Sequence, residues 1–89
     1  MAERQLKIIN EKGLHARASA KFVEVVEEFD ASAKVTKDGM DVSGDSIMGL
    51  LMLAASRGTS IDVVTEGAQA DALADALEAL VADKFGEDF

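Results

Sequence analysis

The sequence predicts a two-layer α+β domain in which three helices cover one face of a four-stranded antiparallel sheet. Its 89 residues are enough for one modest hydrophobic core, so we expect a single domain over residues 1–89. Alternating apolar residues indicate strands, and apolar residues three and four apart indicate helices, in the order β-α-β-β-α-β-α. Helices on one face of an antiparallel sheet give a two-layer fold. Patterning alone leaves open whether these layers form an open-faced sandwich or a ferredoxin-like arrangement.

Composition argues against several classes of function. The chain has no cysteine, which fits a reducing compartment. No N-terminal apolar stretch has the length of a signal peptide, and no segment approaches about 18 unbroken apolar residues, so we expect a cytoplasmic protein without membrane contact. The net charge of −8 and the scattering of nine basic residues argue against nucleic-acid binding. The chain also lacks the basic aromatic strand motif of RNA-binding sheets.

The first strand and the first helix surround the only histidine of the chain. Residues 4–9 alternate in part, with Leu6 and Ile8 on one side, and this predicts a strand with one solvent-facing side. A loop at residues 10–14 leads to His15. The helix that follows is predicted to bury Ala18, Phe22, Val25, Val26 and Phe29.

A β-hairpin is predicted in the middle of the chain. Asp38-Gly39 joins strands at residues 32–37 and 40–43, and this dipeptide is a strong signal for a type I′ turn, whose two central residues need positive φ. The side chains expected to point inward are Ala33, Val35, Met40 and Val42.

A second, shorter helix is predicted up to about residue 54. Asp45 or Ser46 is its expected cap, and Arg57-Gly58 is its expected end, with the glycine in the left-handed conformation. Its apolar stripe consists of Ile47, Leu50, Leu51 and Ala54. Met48 and Met52 lie partly off that stripe, and they are either core filler or part of an exposed apolar patch, which we favour.

The last strand and the last helix complete the predicted fold. Residues 60–66 place Ile61, Val63 and Thr65 on one face, and Gly67 ends this strand. The helix is predicted over residues 69–84, with Leu73, Ala76, Leu77, Leu80 and Val81 buried. Residues 86–89 are expected to fray.

The stretch Gly13-Leu14-His15-Ala16-Arg17 has the features of an anion site. His15 is expected at or near the N-cap of the first helix, where backbone N–H groups lack partners and the helix dipole leaves partial positive charge. We therefore expect the amides of Ala16 and Arg17 to hold an anion. The Arg17 guanidinium adds a permanent cation that can hold phosphate oxygens through two parallel hydrogen bonds, and Gly13 permits an otherwise strained turn.

A nucleophilic imidazole in this setting points to a phosphohistidine. The ring can attack phosphorus without a separate base, and it leaves readily when the next acceptor arrives. The alternative is that His15 is only a polar helix cap. A metal site is not expected, because structural zinc needs four protein ligands and the chain has one histidine and no cysteine.

Gly13-Leu14-His15-Ala16-Arg17, followed by Ser46-Ile47-Met48-Gly49, resembles the HPr family, the histidine phosphocarriers of the bacterial phosphoenolpyruvate-dependent phosphotransferase system. The resemblance covers nearly the whole chain and implies an open-faced sandwich with strand order 1-4-2-3. It implies a carrier that is a covalent intermediate and not an enzyme. His15 would accept a phosphoryl group from enzyme I on the ring nitrogen nearer the backbone and pass it to a IIA-type domain, while Arg17 steadies the group.

The same resemblance gives the start of the second helix two roles. Ser46 matches the position that a dedicated kinase, HPr kinase/phosphorylase, modifies in some members; a plain helix cap is the alternative. The exposed patch expected at Ile47, Met48, Leu51 and Met52 would bind partners. Phosphate on Ser46 is then expected to hinder those partners without unfolding the domain.

One position departs from the family pattern. Many members carry proline after the arginine, whereas this chain has Ala18-Ser19, as in members of the nitrogen-related branch. Alanine is a good helix former, so the helix is expected to survive the change. We therefore favour nitrogen and metabolic signalling over sugar uptake.

An alternative of another class is a regulatory module that docks on enzymes or transcription factors without carrying phosphate. An independent enzyme is not expected, because no second carboxylate, nucleophile–base pair or nucleotide-binding loop is apparent near the motif. No cofactor is expected beyond the phosphoryl group, which comes from phosphoenolpyruvate through enzyme I. We expect the carrier to be a monomer.

Charge is unevenly distributed along the chain. Lys12, Arg17 and Lys21 lie near the histidine, and this stretch either presents a positive face to acidic partners or is ordinary solvated surface. Acidic residues are concentrated late, at Asp71, Asp75, Glu78, Asp83, Glu87 and Asp88.

Overall fold

A four-stranded antiparallel sheet, with helices on one face, forms the protein in a computed structural model that describes residues 1–87. The strands are β1 (Ala2–Lys7), β2 (Ser32–Lys37), β3 (Met40–Ser43) and β4 (Ser60–Glu66). The helices are α1 (Ala16–Glu27), α2 (Ile47–Met52) and α3 (Ala70–Ala82), followed by a single 3₁₀ turn at Lys84–Gly86, here called the terminal turn. The strand order β1-β4-β2-β3 and the helical layer confirm the predicted open-faced sandwich. Among residues 1–87, no helix is both long enough and apolar enough to cross a bilayer.

One face of the sheet packs against the helices to form the core. The alternating residues predicted for β4 are all buried, as are the inward residues Ala33 and Val35 of β2. Strand β1 begins and ends two residues earlier than predicted, because its pairing with β4 starts at Ala2↔Thr65 and ends at Lys7↔Ser60. Ile8 is fully buried beyond the strand end, where its N–H donates to the Thr59 carbonyl over 2.8 Å.

Helix α1 follows the predicted spacing, with its buried face slightly rotated. Ala18, Phe22 and Val26 are buried as predicted, whereas Val25 and Phe29 are only half-buried. The remaining buried positions of the helix are Ser19 and Val23. The Ser19 hydroxyl is satisfied by donating to the Leu14 carbonyl over 3.3 Å.

The hairpin has the predicted type I′ character, since Asp38 has φ 51° and Gly39 has φ 83°. Met40 shares a face with Val42 as predicted, but it is not buried, because this side chain is 42% exposed. Met40 pairs with Lys37 at the turn end of β3, which is the edge strand, and the helical layer does not cover it there. Val42, farther along β3, is half-buried against the core.

Helix α2 is shorter than predicted, and its buried face differs. It ends at Met52, and Ala54 takes a positive φ of 51°, so the helix does not extend to Arg57-Gly58. A helix of six residues has fewer than two turns, and Leu50 is its one buried residue. Leu50 is fully buried as predicted, and Leu53, just past the end of the helix, is buried as well. The other predicted stripe residues are exposed, namely Ile47, Leu51 and Ala54.

Helix α3 begins close to the predicted position but ends two residues earlier. Its buried residues are Ala70, Leu73, Ala74, Leu77 and Val81, whereas Ala76 and Leu80 are half-buried. The chain then reverses through the terminal turn, in which Lys84, Phe85 and Gly86 all have positive φ. Fraying is wrong for Gly86 and Glu87, because the fully buried Phe85 anchors this segment to the core. Residues 88 and 89, also predicted to fray, lie outside the described residues.

Candidate functional site

His15 is the N-cap residue of α1, with extended backbone angles of φ −81° and ψ −176°. Within residues 1–87 its side chain makes no capping hydrogen bond, so the polar-cap interpretation is wrong. The first intrahelical bond runs from the Ser19 N–H to the His15 carbonyl over 2.8 Å. The N–H groups of Ala16, Arg17 and Ala18 therefore precede the helical ladder beside the ring, as an anion site requires.

The loop before His15 is fixed to its surroundings by backbone hydrogen bonds. The Gly13 N–H donates to the Asn10 carbonyl over 3.2 Å, and the Leu14 N–H donates to the Ala55 carbonyl over 2.9 Å. Gly13 has φ 67°, the left-handed conformation expected for this glycine. These contacts set the direction in which the chain enters α1.

A carboxylate that the sequence interpretation missed lies directly against the histidine. Nε2 of His15 contacts Oε2 of Glu87, and the Glu87 side chain is only 8% exposed. The other carboxylate oxygen, Oε1, accepts a hydrogen bond of 2.9 Å from Nδ2 of the buried Asn10. The sequence predicts no second carboxylate and no nucleophile–base pair near the motif. The terminal turn brings one carboxylate, that of Glu87, back to the start of α1 and against the histidine. Phe85, an aromatic residue in the otherwise polar stretch 83–87, was the available signal that this segment is anchored.

The environment of Glu87 keeps its carboxylate ionised at neutral pH. Burial raises the pKa of Glu87, but hydrogen bonds from Asn10 and His15, together with the charges of His15 and Lys12, hold it below its ordinary value. The His15 ring thus has an anionic acceptor at Nε2.

An open cleft of about 470 Å³ lies beside the ring and is rich in positive charge. Its lining residues are Lys12, His15, Ala16, Arg17, Lys21, Gly86 and Glu87. Arg17 is exposed, and Lys21 is half-buried with its Nζ donating to the Phe85 carbonyl over 2.6 Å. The three cations near the histidine thus converge on one cleft, which suits an anion such as a phosphoryl group.

The other predicted site residues lie at the N-cap of α2 and along this helix, and they do not line the cleft. Ser46 is the N-cap of α2, and its Oγ accepts a 2.9 Å hydrogen bond from the Gly49 N–H. Asp45, the other proposed cap, instead accepts from the Ser43 hydroxyl over 2.6 Å. The predicted patch is exposed at all of its positions, Ile47, Met48, Leu51 and Met52. A second depression contains both His15 and Leu51, so the patch adjoins the histidine.

Metal chemistry has no candidate position in the described structure. Within residues 1–87, no group of three or more His, Asp or Glu side chains is placed to share a metal ion.

Comparisons with known proteins agree with this geometry. Residues 2–83 match the family model PTS-HPr, described as the PTS HPr component phosphorylation site. The chain is 44% identical over 87 residues to phosphocarrier protein HPr of Cupriavidus necator, and the alignment covers 98% of each protein. It is 44% identical over 85 residues to phosphocarrier protein NPr of Shewanella violacea, and that alignment covers 96% of this chain and 93% of the relative. The crystal structure of HPr-C-His from Thermoanaerobacter tengcongensis superimposes with a TM-score of 0.95 at 37% identity over all of both chains. The chain therefore belongs to the HPr family of the phosphotransferase system.

Proposed function

We propose that this protein carries a phosphoryl group on His15, accepting it from phosphorylated enzyme I and delivering it to a IIA-type domain. The observation that supports this most directly is the histidine ring at the N-cap of α1, uncommitted to capping within residues 1–87 and beside the amides of Ala16 and Arg17. The cleft is also lined by the Arg17 guanidinium, which can neutralise phosphate oxygens. The protein is then a covalent carrier between phosphotransferases, not an enzyme. Its phosphoryl group originates from phosphoenolpyruvate, and no other cofactor is needed.

Incubation with phosphoenolpyruvate and enzyme I tests this proposal. The parent protein is expected to gain acid-labile, base-stable phosphate, and His15→Ala is expected to gain none. Circular dichroism of His15→Ala provides the control for folding. A parent protein that stays unphosphorylated while enzyme I is itself phosphorylated would favour the docking module, which binds partners without carrying phosphate.

Arg17→Ala is expected to leave the fold intact and to slow phosphoryl transfer about tenfold to a hundredfold. The side chain is exposed, so its removal leaves no cavity. A charge-assisted hydrogen bond contributes about 1.5–3 kcal/mol, which corresponds to that range of rates when it forms in the transition state. Arg4→Ala is the matched control, since Arg4 forms surface ion pairs with Asp75 and Glu78 and a hydrogen bond to the Glu3 carbonyl, and it does not line the cleft beside His15. Equal transfer rates for Arg17→Ala and Arg4→Ala would contradict the role of Arg17.

We further propose that phosphorylation of Ser46, by an HPr kinase/phosphorylase or an equivalent kinase, hinders partner docking. Ser46→Asp is expected to slow phosphate arrival at His15 without lowering the melting temperature, because aspartate also caps helices and tolerates the helix N-terminus. The added charge lies next to the exposed Ile47 and Met48. Ser46→Ala provides the reverse test: losing the cap costs about 1 kcal/mol of stability, yet transfer should stay at the parental rate. A Ser46→Asp protein that accepts phosphate as fast as the parent would refute this proposal.

The patch of Ile47, Met48, Leu51 and Met52 is proposed to dock both enzyme I and the IIA domain on a monomeric carrier, since it adjoins His15.

Ala18-Ser19 favours a IIA protein of the nitrogen-related branch as the acceptor. A purified mixture of sugar-specific and nitrogen-related IIA proteins decides this, because the acceptor that removes phosphate from His15 faster identifies the branch. Faster transfer to the sugar-specific protein would overturn the assignment.

A further inference from the structure

We propose that Glu87, oriented by Asn10, is a positioning residue that holds the His15 ring through Nε2–H, directs Nδ1 toward the phosphoryl donor and stabilises the ring once it carries phosphate. This inference rests on the proposed carrier function. The residues matched to the family end at position 83, four residues before Glu87.

The geometry assigns distinct tasks to the two ring nitrogens. Glu87 contacts Nε2, the ring nitrogen farther from the backbone. An ionised carboxylate only accepts hydrogen bonds, so a neutral ring beside it carries its proton on Nε2. Nδ1, the ring nitrogen nearer the backbone, then has the lone pair. A carboxylate that orients an imidazole in this way is a recurrent arrangement in active sites.

Asn10 fixes the carboxylate to the loop that carries the histidine. Its Nδ2 donates to Oε1 of Glu87 over 2.9 Å and to the Gly13 carbonyl over 2.8 Å. The Asn10 Oδ1 is buried and has no hydrogen-bond partner among residues 1–87. Rotating the amide by half a turn would give up both donated bonds and place its oxygen against the carboxylate, so Glu87 and Gly13 determine the orientation that is observed.

The terminal turn delivers Glu87 through a sterically disfavoured backbone. Lys84 and Phe85 have φ 55° and 56°, and Gly86 has φ 77°, so three consecutive residues are left-handed, two of them with a Cβ. The fully buried Phe85 and the hydrogen bond from Lys21 to its carbonyl keep the turn in place. Backbone strain that persists next to a reactive side chain indicates a functional constraint. Here the strained turn holds the Glu87 carboxylate against the His15 ring.

The chemistry of transfer gives this contact a directional effect. As Nδ1 attacks, the bond from Nδ1 to phosphorus forms and the bond from the donor to phosphorus breaks, with its electron pair returning to the donor. Nε2 keeps its proton, so the ring becomes cationic and its attraction to Glu87 increases. When the phosphoryl group leaves for the acceptor, the pair of electrons returns to Nδ1 and the ring becomes neutral again. Glu87 therefore favours acceptance and retention of phosphate, and it does not favour release.

Glu87→Gln removes the charge while keeping the size of the side chain, and Glu24→Gln, on the exposed side of α1, is the matched control. Acceptance from enzyme I is expected to fall about tenfold to a hundredfold in Glu87→Gln, the range typical when a group that orients a functional histidine is removed. The phosphorylated fraction at equilibrium with enzyme I should fall as well, while delivery to the IIA domain should not slow. Nitrogen-15 NMR of the unphosphorylated chain above neutral pH should show a slowly exchanging proton on His15 Nε2 that is lost in Glu87→Gln and kept in Glu24→Gln.

The outcomes separate this inference from the function on which it rests. A parent protein that gains no phosphohistidine overturns the carrier function, whatever the NMR shows. A parent that is phosphorylated normally, with Glu87→Gln equal to it in acceptance and equilibrium, overturns the role of Glu87 alone. Equal slowing of acceptance and delivery with an unchanged equilibrium would also overturn it, because a docking or folding defect acts on both directions alike.

Discussion

Replacing Phe85 with alanine is expected to lower the free energy of unfolding by about 3–5 kcal/mol, the usual range for truncating a buried phenylalanine. The side chain is fully buried and belongs to the same core cluster as Phe22 and Leu77. Small domains are stable by only about 5–15 kcal/mol, so this loss is a large part of the total. Urea denaturation followed by circular dichroism measures it directly.

The same substitution should also change the site, although Phe85 is not among the residues that line the cleft beside His15. Without its anchor, the left-handed terminal turn is expected to open, because its strain is then opposed by hydrogen bonds alone, among them those from Lys21 to the carbonyl of residue 85 and from Asn10 to Glu87. Glu87 would leave His15, and the protected Nε2 proton should disappear from the NMR spectrum under conditions where the domain is still folded.

Two controls separate stability from site geometry in this experiment. Phe29→Ala removes an aromatic residue that is only partly buried against the core, and it should cost less stability and leave the Nε2 proton protected. Glu87→Gln should lose the protected proton without the large loss of stability. A Phe85→Ala protein that is as stable as the parent, or that keeps the proton, would show that the turn does not depend on the buried ring.

Local turn chemistry explains why much of the fold could be predicted from the sequence. The hairpin at Asp38-Gly39 needs positive φ at both central residues, and the boundaries of β2 and β3 follow from that turn. Strand β4 alternates cleanly because one of its faces is covered by helices. Helix α2 could not be predicted in the same way. Six residues are too few for the spacing of apolar residues to define a buried stripe. The elements packed against α2 therefore determine which of its side chains are covered.

The parts of the candidate site that depend on local sequence could be predicted, and the part that depends on a distant segment could not. His15 and the amides of Ala16 and Arg17 are set by the capping position of one helix, which a short motif is able to specify. Glu87 reaches His15 from 72 residues away, through left-handed conformations of Lys84 and Phe85 that residues with a Cβ seldom adopt. Sequence periodicity contains no signal for such a turn. The concentration of acidic residues late in the chain therefore gives no indication that one of them, Glu87, touches the histidine.

Gly13→Ala is expected to destabilise the domain by about 2–5 kcal/mol and to slow phosphorylation of His15. Its φ of 67° disfavours any residue with a Cβ by about 1–2 kcal/mol. A Cβ built there would also lie 2.6 Å from the Ala55 carbonyl oxygen and 2.9 Å from the Ser56 Cα. Both neighbours are backbone atoms and have no side-chain freedom to move away, so overpacking adds about 1–3 kcal/mol.

Gly39→Ala provides the matched control, because Gly39 has a similar φ of 83° and a Cβ built there would meet no atom within 4 Å. It should lose only the conformational part, about 1–2 kcal/mol, and keep the parental phosphorylation rate. In Gly13→Ala the loop can relieve the clash only by moving away from Ala55, which lengthens the 2.9 Å bond from the Leu14 N–H to the Ala55 carbonyl. His15 follows directly and would shift relative to both the α1 amides and Glu87. Equal melting temperatures for the two variants would mean that the crowding at Ala55 is relieved elsewhere, and that the loop does not fix the direction of the histidine.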